Sequence, residues 1–395
     1  MKRLILLAVL FAACTSKDAT TLVQAPAATG SAEPFLFTDE AGRVYLSWVE
    51  KGDSISSLKY SQWDKGNWTA PVEIASGKNW FVNWADYPML AINKNQFVAH
   101  FLERSGDARL AYTVQLTTSA DGKTWNKPLV VHDDGKHAEH GFVSLLPYGT
   151  NFLVAWLDGR NTVMEGMEDM DGHEGHHGAM SLRAAIINPR GEKVKEWELD
   201  NKTCDCCQTI AALTSDGPVV IYRDRSDEEL RDISIVRLQQ DSVWTKPASI
   251  YSDNWKIAGC PVNGPRADAI DNTLAIAWFT AADSQPTVKL IFSTDGGKTF
   301  DKPIQINTGA TIGRVDVLLL DATTALVSWM EDATLKSMRV ERDGSKGKPI
   351  QIVSTSEARS GGFPQMTKAG DKIVFAWTDT GQELIQTSFV AISSF

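Results

Sequence analysis

The chain has 395 residues, with 39 Lys and Arg against 49 Asp and Glu and a net charge of −10 at pH 7. An acidic surface without a basic run excludes nucleic acid as a partner and gives anionic lipid no electrostatic hold. The length is ample for a large buried core, and no apolar stretch beyond the N-terminus approaches membrane-spanning length.

The N-terminus sets the compartment. Lys2 and Arg3 precede an apolar run from Leu4 to Ala12, then Ala13 and Cys14, which reads as a secretory signal over residues 1–13. "FAAC", Phe11 to Cys14, resembles a bacterial lipobox. The resemblance implies that Cys14 becomes the lipidated first residue of a mature protein anchored in the cell envelope, on the outer membrane or facing the periplasm. A simple secreted protein is the alternative. Residues 14–30, rich in Thr, Ala and Ser, read as a flexible tether, leaving 31–395 as the folded domain. With Cys14 set aside, Cys204, Cys206, Cys207 and Cys260 remain, an even number that suits two disulfides in an oxidising compartment.

Along the domain a short apolar strand ending in an aromatic recurs seven times: "VYLSWVE", "FVAHFLE", "FLVAWLD", "PVVIYRD", "LAIAWFT", "ALVSWME" and "IVFAWTD". The aromatics Trp48, Phe101, Trp156, Tyr222, Trp278, Trp329 and Trp377 stand about 45 to 65 residues apart, the spacing of propeller blades. A second strand-like element follows most copies, as in "TWNKPLVV" and "TFDKPIQI". The pattern predicts an all-β chain, a β-propeller of four-stranded blades, in which radial repetition protects the sheet edges. The last unit lacks a fourth strand, and the N-terminal "TLVQA" is placed to supply it.

"STDGGKTF", Ser293 to Phe300, resembles the Asp-box turn of the sialidase or BNR-repeat superfamily. "TSADGKTW", ending at Trp125, is a shortened version and "SQWDKGNW", ending at Trp68, a looser one. The resemblance implies the propeller architecture rather than an activity. Sialidases have six blades, whereas the repeats here count seven; six is the alternative.

In an up-and-down blade, the loop between the second and third strands lies at the same end as the link to the next blade. That face is expected to collect His137, Glu139 and His140, then Cys204, Cys206 and Cys207, then Cys260, with Arg314 and Arg359. Asp158, Arg160, Arg223, Asp224 and Arg225 join them as ligand-binding candidates, with Arg266. A Met/His-rich insert also falls there, carrying Met164, Met167, Met170, His173, His176, His177 and Met180. Thioether and imidazole donors suit soft or borderline metals, copper above all. In an extended segment Cys204 and Cys206 would share a side and Cys207 would point away. Structural disulfides, a thiolate copper or zinc site completed by His137 or His140, and a redox pair all remain open.

The sialidase resemblance implies a three-arginine clamp, a Tyr–Glu nucleophile pair and an Asp acid/base. Clamp candidates are Arg160, Arg223, Arg225, Arg266, Arg314 and Arg359, but no Arg-Ile-Pro motif occurs and no tyrosine follows Tyr251, so the catalytic residues stay unassigned. The expectation is an envelope-anchored monomer binding a metal, copper favoured, or serving the assembly of a metalloprotein. Exo-sialidase activity and a non-catalytic glycan- or protein-binding scaffold are the alternatives.

Overall fold

The computed structural model describes residues 20–162, 178–239 and 242–395. Seven antiparallel sheets are arranged as blades, spanning residues 31–77, 90–130, 140–200, 210–249, 266–305, 311–354 and 365–391. The seventh sheet is completed by Thr20–Gln24, which pairs with Leu384–Ala391 in a register that sets Thr20 opposite Val390 and Gln24 opposite Gln386. The N-terminal strand thus closes the ring, as "TLVQA" predicted. It also moves the boundary of the folded body from residue 31 back to Thr20, because five residues of the expected tether have ladder partners. The signal segment and Cys14 lie outside the described residues.

The repeated aromatics all lie in second strands, and all are buried, from 0% exposure at Trp48, Trp156, Tyr222 and Trp278 to 4% at Phe101. These strands are covered on both faces by neighbouring blades, which explains why they read as nearly continuous apolar runs. The period of two places an acid beside several of the indoles. Trp48 donates to Glu50 at 3.0 Å, Trp156 to Asp158 at 2.8 Å and Trp329 to Glu331 at 2.9 Å, so the buried N–H groups are satisfied.

Two of the three expected turns have Asp-box hydrogen bonding. Asp295 Oδ1 accepts from the backbone N–H of Lys298 and Thr299 at 2.9 Å each, while Gly297 N donates to Ser293 Oγ at 2.9 Å. Asp121 accepts from Lys123 N at 2.8 Å and Thr124 N at 2.7 Å. The looser "SQWDKGNW" is instead a hairpin, with Trp63 opposite Trp68 and Asp64 opposite Asn67. Lys65 and Gly66 take positive φ there, the geometry of a type I′ turn.

On the axis, Arg266 of the fifth blade reaches Asp316 Oδ1 at 2.9 Å, Tyr87 Oη at 2.8 Å and Gln365 Oε1 at 3.2 Å. Asp316 Oδ2 also accepts from Met366 N at 2.8 Å. Burial opposes the Arg266 charge, but Asp316 and Tyr87 more than offset it and hold the guanidinium charged. One buried ion pair therefore ties together blades five, six and seven and the link that leads into blade two.

Candidate functional site

At the end opposite the Asp-box turns, the blade links and second-to-third-strand loops enclose a cavity of about 1360 Å³. Its fourth- and fifth-blade wall carries Cys206, Asp205, Arg225, Glu229, Arg231 and Cys260, and Met180 and Glu139 come from the third. Facing them are Phe81, Trp84, Arg104 and Arg109 of the second-blade region.

The cysteine segment is not extended. Asp205 and Cys206 form a turn, anchored where Thr203 N donates to Met180 O at 2.9 Å and Cys204 N to Arg223 O at 3.1 Å. The expectation that Cys207 points away from its neighbours is therefore corrected, since the turn cancels strand alternation. The sulfurs of Cys204, Cys206 and Cys207 lie within 4.8 Å of one another, with Cys204 Sγ 3.9 Å from Cys206 Sγ and 3.6 Å from Cys207 Sγ. All four described cysteines are free thiols. Hydrogen bonds from Cys206 and Cys207, then the Arg231 and Arg223 charges, hold the Cys204 thiol well below its ordinary value. Burial pushes Cys207 up to about 12. Arg231 Nη1 donates to Cys204 Sγ at 3.2 Å and Nη2 to Glu229 Oε2 at 2.7 Å.

The other candidates separate into distinct places. Arg225 lines the cavity but is held by Asp205 at 3.1 Å and Glu229 at 2.8 Å. Asp224 accepts from Ser234 Oγ and Arg225 N. Arg223 is 1% exposed and donates to the carbonyls of Asn263, Arg231 and Phe279. Arg314 donates to Glu357 O and Ala358 O, and burial lowers it to about 10. Arg266 is engaged on the axis. Asp158 and Arg160 grip each other through two contacts of 2.8 Å.

His140 is apart from the thiols. Its Nδ1 faces Ala138 O at 3.1 Å and its Nε2 faces Asp134 Oδ2 at 2.8 Å, while its ring stacks on His132 at 3.6 Å. His132 bonds Asp134 Oδ1 at 3.0 Å and also contacts Thr113 Oγ1. His137 is exposed. Met180 is buried against the cavity, whereas Met164, Met167, Met170, His173, His176 and His177 lie outside the described residues.

Sequence reasoning overlooked a pair of acids behind the thiols. Tyr112 Oη donates to Glu139 Oε1 at 2.7 Å, and burial raises Glu139 to about 8. Asp86 accepts from Phe142 N at 2.8 Å, leaves Oδ2 without a partner, and is raised by burial to about 7. Asp205 is also raised by burial, against the lowering effect of Arg225, and its Oδ1 is unpartnered. Glu139 had been placed on this face; Tyr112 and Asp86 carry no local motif that would single them out.

No protein-family model and no curated protein sequence matches the chain. Among solved structures it is similar to a protein of unknown function from Dyadobacter fermentans, at 14% identity over 94% of this chain and 98% of that one, TM-score 0.52. The polysaccharide lyase Uly1 is similar at 8% identity over 90% and 89%, TM-score 0.55. The NanB sialidase from Streptococcus pneumoniae matches at 15% identity over 96% of this chain and 71% of that chain, TM-score 0.48. The chain is thus a seven-bladed β-propeller with structural neighbours among sialidases and other carbohydrate-active propellers, a likeness of fold alone.

Proposed function

We propose that the mouth of the propeller binds a soft metal ion, copper favoured, through the thiolates of Cys204, Cys206 and Cys207. The observation that carries this reading is the sulfur spacing. A metal–thiolate bond of about 2.3 Å places tetrahedral ligands about 3.8 Å apart, and the two measured separations are 3.6 and 3.9 Å. A disulfide would need about 2.05 Å. The guanidinium of Arg231 offsets the negative charge that thiolate ligands bring, and Met180 supplies a thioether on the same wall. We take the chain to be held in the envelope through a lipidated Cys14 and to serve metal handling or metalloprotein assembly there. Metal analysis of the full chain, produced in an oxidising envelope and purified without chelator, tests the site. About one equivalent of copper, lost in Cys206→Ser, is expected; metal unaffected by that substitution overturns it.

A second reading is glycan chemistry. Its support is the Tyr112–Glu139 pair at 2.7 Å bordering a cavity that also presents Arg104 and Arg109. The pair comes from the second and third blades, so the lack of a late tyrosine does not remove it. Tyr112 is 0% exposed beneath Phe81, with ring centroids 4.0 Å apart, which makes this the weaker reading. Turnover of a fluorogenic sialoside or arabinofuranoside that disappears in Glu139→Gln would favour it; no turnover by the intact chain rejects it.

A further inference from the structure

Cys206 belongs to two sets of contacts at once. It is one corner of the three-thiol cluster, and its thiol also hydrogen-bonds with Cys260, which stands outside that cluster. Cys206 and Cys260 are also the two described cysteines that line the cavity. Cys204 and Cys207 are 0% and 1% exposed, whereas Cys260 is exposed. Reagents in the cavity therefore meet Cys260 first and Cys206 next. The link that carries Cys260 is free to approach, because at Gly259 an added Cβ would meet only Ile257 Cγ1, at 3.9 Å. Within the trio, bridging adjacent Cys206 and Cys207 would be strained, and burial denies an incoming disulfide access to Cys204 and Cys207.

We propose that Cys206 and Cys260 are an exchanging dithiol pair, and that closing their disulfide takes Cys206 out of the three-thiol cluster. The release part of this inference rests on the metal reading above; the dithiol part does not. The co-reactant is a small disulfide of the glutathione type. The Cys260 thiolate attacks one of its sulfurs, forming a mixed disulfide and expelling one thiolate. Cys206 then attacks the Cys260 sulfur, forming the intramolecular bond and expelling the second. The two protein thiols lose two electrons and two protons, and the small disulfide leaves as two thiols. Only two of the three clustered sulfurs then remain to hold a metal.

The test equilibrates the full chain in glutathione buffers of graded ratio, with and without one equivalent of copper(I), and maps disulfides by fragmentation of linked peptides. A Cys206–Cys260 link that rises at least about tenfold from reduced to oxidised buffer is expected, with bound copper falling in parallel and returning on reduction. Cys260→Ser, a change at an exposed position, should retain copper in both buffers. No link in oxidised buffer, or a link joining Cys204 to Cys207 instead, overturns the pairing. A link that forms while copper stays bound overturns the release step. If the link forms but no copper binds under reducing conditions, the dithiol pair stands and the metal reading falls.

Discussion

The two ends of the propeller satisfy their polar groups in opposite ways. At the Asp-box end the partners are two to four residues apart: Asp295 takes Lys298 N and Thr299 N, and Thr299 Oγ1 donates to its Oδ2 at 2.6 Å. Those bonds outweigh a small burial penalty and lower Asp295 to about 2. At the cavity end the partners are far apart in sequence, as with Phe142 and Asp86 or Arg231 and Cys204, and Asp86 Oδ2, Asp205 Oδ1 and Arg231 Nε are left without partners. Buried polar groups without partners cost stability. Their concentration at one end marks where the fold gives up stability for a site.

This contrast can be broken most strongly through Glu139. Its carboxyl is raised from 4.5 to about 8 by burial, so the stability tied to its protonated form is full below pH 4.5 and is lost as pH rises through about 8. Glu139→Gln should remove that dependence. Between pH 4.5 and 7 the gap between variant and wild type should move in the variant's favour by on the order of 3 kcal/mol, at about 1.4 kcal/mol per pH unit, as read by urea denaturation at each pH. A parallel pair of curves would show that Glu139 titrates normally.

A smaller effect is expected from closing the space behind it. A Cβ on Gly141 would lie 2.0 Å from Asp86 Oδ2 and 3.0 Å from the Tyr112 ring. Gly141→Ala should cost about 2 kcal/mol through overpacking, read as a lower denaturation midpoint, with the loss reduced when Asp86→Ala is added. At the other end, Asp295→Ala removes turn bonds that water partly replaces, and should cost about 1 kcal/mol without altering copper content. Equal sensitivity of copper content to both substitutions would erase the distinction between the ends.

The blades were legible in the chain because a strand covered on both faces must be apolar throughout, and each second strand carries that run with its aromatic at one position. The Asp-box turns were legible because every bond in them is local. The closing strand could be inferred from an incomplete seventh unit. The cavity-face cysteines could be placed by counting strands, but their mutual geometry could not. Reading 204–207 as extended separated Cys207 from the others, and only the turn at Asp205 and Cys206 brought three sulfurs together. The arginines misled for a related reason: Arg223, Arg266 and Arg314 resemble surface ligands in sequence, yet each is spent on carbonyls or on the axis.

The sequence by itself determined the all-β class, the sevenfold repeat, the turn chemistry and the end at which the unusual residues gather, because each rests on period or on partners a few residues apart. The tertiary structure decided which sulfurs meet, which acids lose water and which arginines remain available. Those outcomes depend on contacts between blades, such as Arg266 with Tyr87 across 179 positions of sequence, and no local pattern of residues encodes them.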